Sequence, residues 1–151
     1  MSKPLSVKVN DTYFNKALNK LKALEDDFAR EVDDEMAAAA IDIVTLAKKN
    51  APVAPDGGRM RAAISSNKLS LLRQQIRVDT NYAAYVEFGT GGKYKTYEGN
   101  LTNEWKNIAA THYVNGRGTT RPLPYLYPAV KVVLKKLKDK FKVRLKAFLK
   151  K

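Results

Sequence analysis

Residues with catalytic chemistry to offer are few in this chain. His112 is the only histidine and no cysteine occurs. Without cysteine there are no disulfides, thiolate nucleophiles or cysteine-based metal sites. General acid–base work needs a histidine held among positioned partners, whereas His112 stands in a glycine-rich stretch and reads as a surface residue. The acidic run "EDDFAREVDDE" lies on the polar face of a helical pattern, opposite Phe28 and Val32. A calcium loop needs a glycine-turned loop instead, so the run predicts a solvated face and no metal. "GTGGK" does not meet the GxxxxGK[ST] phosphate-loop pattern and lacks the strand and helix that frame one. The reading is a non-enzyme without a cofactor.

Two charged features remain. Glu87 sits inside "YVEFG" among Tyr85, Val86 and Phe88, so on a strand or a helical turn it lies close to the core. A carboxylate there must be paired or hydrogen-bonded. Arg61 is the first candidate partner and Arg59 the second, because a guanidinium can hold a carboxylate with two parallel bonds. The alternative is a solvated Glu87 on an edge. The second feature is a lysine row, Lys131, Lys135, Lys138, Lys142 and Lys146, on one face of a C-terminal helix.

The row belongs to a wider asymmetry. The 151 residues carry a formal net charge of +13. Residues 1–50 hold eight Lys/Arg and nine Asp/Glu, whereas the remainder holds twenty and six. Such a distribution points to an acidic or polyanionic partner for the C-terminal part, or to a lysine-rich solvated face. Lysine so outnumbers arginine there that any DNA contact should be non-specific. "MSKPLSVKVND" lacks the apolar core of a signal peptide, and no run of about 18 apolar residues exists to span a membrane. The expectation is a soluble protein made in a cytoplasm.

The elements that must position these residues are set by periodicity. Residues 1–12 read as an extended arm, with Asp11 or Thr12 able to cap the helix after it. Phe14, Leu18, Leu21, Phe28, Val32, Met36, Ala39, Ile43 and Leu46 form a helical stripe over 13–50. Such a rod would exceed about 50 Å, so it must kink or overhang. "APVAPDGG" ends it in a loop. Residues 62–90 predict three or four strands, with "NYAAYVEFGTG" a third strand or a helical turn closed by Gly89. Residues 91–120 predict a mobile assembly loop, in which only "LTNEWKNIAA" suggests a short helix; its glycines and polar residues are not expected to form a core. "PLPYLYP" predicts extended chain, and 128–149 a basic helix with Val130, Val133, Leu137, Phe141, Leu145 and Phe148 inward. The fold class is α+β, one domain with both long helices packed on a small antiparallel sheet.

Four ordered blocks carry a resemblance: Ala47 to Val53, Gly58 to Ile64, Tyr82 to Thr90, and Arg121 to Ala129. In order and spacing they resemble the head–tail joining (neck, or tail-completion) family of long-tailed bacteriophages. That family's pattern runs "AKxxAPV", "TGxLRxSI", "YAxxVEFGT", a variable loop, then "xPxPFLxPA" opening a final helix. The likeness covers roughly residues 36–149. This chain departs in Gly57-Gly58, in Met60-Arg61 and in Pro124-Tyr125-Leu126, where the Tyr125 hydroxyl needs a partner or an exposed edge.

The resemblance implies a structural virion component at the head–tail junction, in a ring of six or twelve around the DNA channel. It implies other junction and tail proteins as partners, assembly in the host cytoplasm and no membrane. It marks Arg61, Glu87, Phe88, Gly89, Thr90, Pro122, Pro124 and Leu126 as structural and assembly residues. The five lysines would face either channel DNA or acidic neighbours. The rival from another class is a non-specific DNA-binding or DNA-packaging accessory protein; a weaker one is a peripheral membrane protein using the last helix.

Overall fold

A computed structural model describes residues 5–8, 15–16, 18–19, 26–53, 57–94, 97, 100–114 and 117–150. Along the chain these form β1 (Leu5–Lys8), α1 (Asp26–Asn50), α2 (Arg59–Ala62), β2 (Ile64–Ser70), β3 (Arg73–Val78), α3 (Ala83–Phe88), α4 (Asn103–Ala110) and α5 (Leu126–Phe148). The fold is α+β, as the periodicities require. Asn15, Lys16, Leu18 and Asn19 are also helical. The expected helix start at residue 13 and its cap at Asp11 or Thr12 fall outside the described residues.

The sheet is antiparallel, in the order β1-β3-β2. Leu5 pairs with Val78 on one side of β3, and Ile64 pairs with Val78 on the other. Ile64, Ile76 and Val78 are buried, because alternate residues of a strand face the same side. α1 lays Val32, Met36, Ala39, Ala40, Ile43 and Ala47 into the same core and packs on β2, β3 and α5. These are the one-turn and two-turn steps of an amphipathic helix. α5 contributes Leu126, Val130, Val133, Leu137 and Phe141.

Two expectations need correction, and one left open is decided. Only two strands lie between residues 62 and 90; the third comes from the N-terminal arm, where "LSVK" alternates but is short. Of the two readings of "NYAAYVEFGTG", the helical turn closed by Gly89 is the one found, as helix α3, because a helical turn buries Ala83, Ala84, Glu87 and Phe88 together, where a strand would alternate them. Within 91–120, α4 buries Trp105 and Ala109 and Leu101 joins them in the core, so this glycine-rich segment does build core. One indole outweighs many polar neighbours, since aromatic side chains dominate core energetics.

Candidate functional site

The stretches Tyr82–Gly91 and Arg121–Ala129 meet around Glu87. α3 carries Glu87 on its inward face, and the residue is 0% exposed. Oε2 accepts the backbone N–H groups of Tyr125 and Leu126, both at 2.8 Å. Oε1 accepts that of Tyr127 at 2.9 Å. These are the amides that the start of a helix leaves without intrahelical partners. The fourth such position is Pro128, which has no N–H to satisfy. One remote carboxylate therefore completes the whole N-terminus of α5, and it does so where a helix favours negative charge.

α5 has no cap of its own, since Tyr125 at its N-cap makes no side-chain hydrogen bond to the helix. A buried helix start with no local acceptor requires a distant one, and Glu87 meets that need. The same contacts explain why the helix begins at Leu126 rather than at Pro128. A residue before proline prefers extended backbone, but Tyr127 is held helical by its bond to Glu87. Burial raises the Glu87 carboxyl above its ordinary 4.5, while the three amides pull it down. Burial also pushes the Tyr125 phenol upward, and its hydroxyl donates to the Ala83 carbonyl at 3.4 Å. That meets the partner requirement expected for this tyrosine.

Arg61 is not the partner of Glu87. Its Nη2 donates instead to the Ala51 carbonyl at 2.7 Å, tying α2 to the end of α1, and Arg59 is exposed. A guanidinium would have brought a second buried charge, whereas backbone amides satisfy the Glu87 oxygens without one.

Beyond Glu87 the chain crosses itself. Gly89 closes α3 with φ 71, and a Cβ there would stand 2.8 Å from Pro122 Cδ. Glycine alone meets both conditions. Thr90 Oγ1 accepts the Thr120 N–H at 3.0 Å, and its carbonyl accepts the Val114 N–H at 2.9 Å. The Leu123 N–H donates to the Val86 carbonyl at 2.7 Å. Pro122 and Pro124 are half-buried and Leu126 is fully buried. Phe88 meets Trp105 edge-on at 5.9 Å and Trp105 meets Tyr127 at 4.9 Å, so α4 is clasped onto this crossing. The Tyr127 hydroxyl donates to the Asn100 carbonyl at 2.6 Å.

The expected residues Glu87, Phe88, Gly89, Thr90, Pro122, Pro124 and Leu126 thus gather in one junction, and Arg61 lies apart from it. Sequence reasoning misses Trp105, Tyr127 and the three amides. The missing cap before "LYPAV" is the available signal for the amides. Lys131, Lys135, Lys142 and Lys146 are exposed along α5, with Lys138 half-buried. No group of three or more His, Cys, Asp or Glu among the described residues is placed to hold a metal.

Residues 15–89 match the family model described as "Bacteriophage HK97-gp10, putative tail-component". Over these residues, just under half of the chain, it is similar to the HK97 gp10-like family. The family is one of phage tail-related structural components, in keeping with the sequence resemblance. The match ends at Gly89, so the three amides that receive the Glu87 carboxylate lie beyond it. No curated protein and no solved structure matches the chain. No helix among the described residues is long and apolar enough to cross a membrane.

Proposed function

We propose that this protein is a head–tail junction component, a neck or tail-completion protein, and forms or joins a ring around the DNA channel in the particle. Other junction and tail proteins are its neighbours, with assembly in the host cytoplasm. The observation that carries this reading is the Glu87 junction. It locks together the two stretches that most resemble the joining family, and it leaves apolar side chains outside. Leu123 is 49% and Val114 46% exposed, and both lie on backbone bonded to the Val86–Thr90 segment. Exposed apolar groups on a rigid crossing suit a docking surface. A ring of six or twelve accords with the symmetry of phage junctions.

The test is genetic and structural. Particles made without the protein should contain filled heads and free tails, and supplying the chain should restore joining. Infectious, joined particles in its absence would refute the proposal. The rival, a DNA-packaging accessory protein, predicts heads that lack DNA instead.

A further inference from the structure

The exposed face of α5 is rich in lysine, with Asp139, Val132 and Val143 exposed beside the lysines. Lys131, Lys135, Lys142 and Lys146 are all exposed and recur at one-turn and two-turn steps, so they form one straight row. At 1.5 Å per residue the row spans about 22 Å. Among the described residues none of the four has a carboxylate partner. Lys138, half-buried and engaged within the fold, is left out of the row. Lys136 and Lys140 are exposed on the adjoining flank.

The only arginine of α5 is turned elsewhere. Arg144 bonds Glu31 at 2.9 Å and Glu35 at 2.7 Å, which closes the α1–α5 seam. The same contacts offset one of the two α1 carboxylate charges that would otherwise repel an anion. The direction of the rod is fixed independently, since Glu87 holds its N-terminus.

We infer that this lysine row binds the phosphate backbone of duplex DNA without reading its sequence. Protein–protein interfaces centre on apolar or arginine anchors and are depleted in lysine, whereas four exposed lysines dominate this face over one exposed carboxylate, Asp139, and the small apolar Val132 and Val143. Protein–DNA interfaces are more polar and far more positive. Lysines act as point charges toward phosphate and carry no base-reading fork. The inference rests on the junction reading only for the source of the DNA, the strand threading the channel.

Four phosphate contacts give a log–log salt slope of about −3.6, or an affinity loss of about 150-fold between about 50 and 200 mM salt. The test is fluorescence anisotropy with two unrelated duplexes of equal length. The full chain should bind both alike with that slope. Replacing Lys131, Lys135, Lys142 and Lys146 with Gln should weaken binding at least about tenfold and flatten the slope by three to four. A control removes the same charge elsewhere, at the exposed Lys16, Lys49, Lys93 and Lys106, and should weaken binding less than about threefold.

Equal losses in the two variants would overturn the inference, leaving only the pull of net charge. Tighter binding to polyglutamate than to duplex at equal salt would also overturn it, in favour of an acidic protein partner. The two proposals fail separately. A row variant that loses DNA binding yet restores joining leaves the junction reading intact, and a chain that binds DNA yet cannot restore joining refutes that reading alone.

Discussion

Glu87 alone accepts three buried backbone N–H groups, from Tyr125, Leu126 and Tyr127. Replacing it with Ala strands three buried amides, and the expected loss in urea unfolding is about 3–5 kcal/mol. Glu87→Gln keeps one acceptor but points an amide group at donors, for a loss of about 1.5–3 kcal/mol. Because Arg61 bonds Ala51 and not Glu87, Arg61→Met combined with Glu87→Gln should be additive within about 0.5 kcal/mol. Coupling well above that would mean the guanidinium reaches the carboxylate in solution. The pH dependence has a definite sign. Burial raises this carboxyl above 4.5 on folding, so the native chain holds its proton more tightly than the unfolded one. The stability linked to that proton is complete below the unfolded value and falls as pH rises through the native one. Wild type should therefore lose stability relative to Glu87→Gln as pH rises from 4.5, then level off. A gap that widens the other way would show the amides outweighing burial. Gly89 is the second residue with no substitute. Ala there adds a positive-φ strain of about 1–3 kcal/mol to the contact with Pro122, so calorimetry should show a larger Tm loss for Gly89→Ala than for Gly57→Ala. Gly57 also has positive φ, 66, but nothing within 4 Å of its would-be Cβ.

Among the elements, the most legible are those whose apolar residues repeat over many turns. The stripes of α1 and α5 are readable because a long period leaves one solution. α3 is not, because six residues fit a strand or a helix until Glu87 finds its amides, and those lie 38 to 40 positions away. The β2–β3 turn is equally hidden. Leu72 adopts φ 60, a conformation that costs a leucine about 1–2 kcal/mol. It is held there by burial and by Asp33, whose Oδ1 accepts the Leu72 N–H at 2.8 Å while Oδ2 meets Lys68. Asp33 stands in the acidic run that reads as a solvated face, as do the Glu31 and Glu35 that pair with Arg144, so part of that run is structural. The pattern of "LTNEWKNIAA" suggests the short helix α4, but not its anchoring role. Trp105 is 7% exposed and touches both Phe88 and Tyr127. Trp105→Ala should cost about 3–5 kcal/mol and free the segment it holds. Brief trypsin treatment of wild type should cut after Lys93 or Arg117 and spare Lys106 within α4. In Trp105→Ala, Lys106 should become a leading site. Early cleavage at Lys106 in wild type would mean that α4 is loosely held despite its aromatic contacts.

Across the whole molecule, α1 and α5 run antiparallel and are fastened differently at their two ends. At one end the α5 start is buried, with Glu87 on its amides and the Asn50 amide 3.5 Å from the Tyr125 carbonyl. At the other, Phe28 stacks on Phe148 at 4.5 Å and Arg144 bridges to Glu31 and Glu35. Those ion pairs are partly solvated, so each contributes at most about 1 kcal/mol, and Phe148 is only half-buried. Stability should therefore grade along the rod, because local opening tracks buried contacts and not helix length. Amide hydrogen exchange of residues 129–137 should proceed only by global unfolding. Exchange of residues 143–149 should occur by local opening and run at least tenfold faster, by about 1.4 kcal/mol or more. Phe148→Ala should accelerate the second group and leave the first unchanged apart from any small global loss. Uniform protection from 129 to 149 would contradict the gradient and make the rod one cooperative unit.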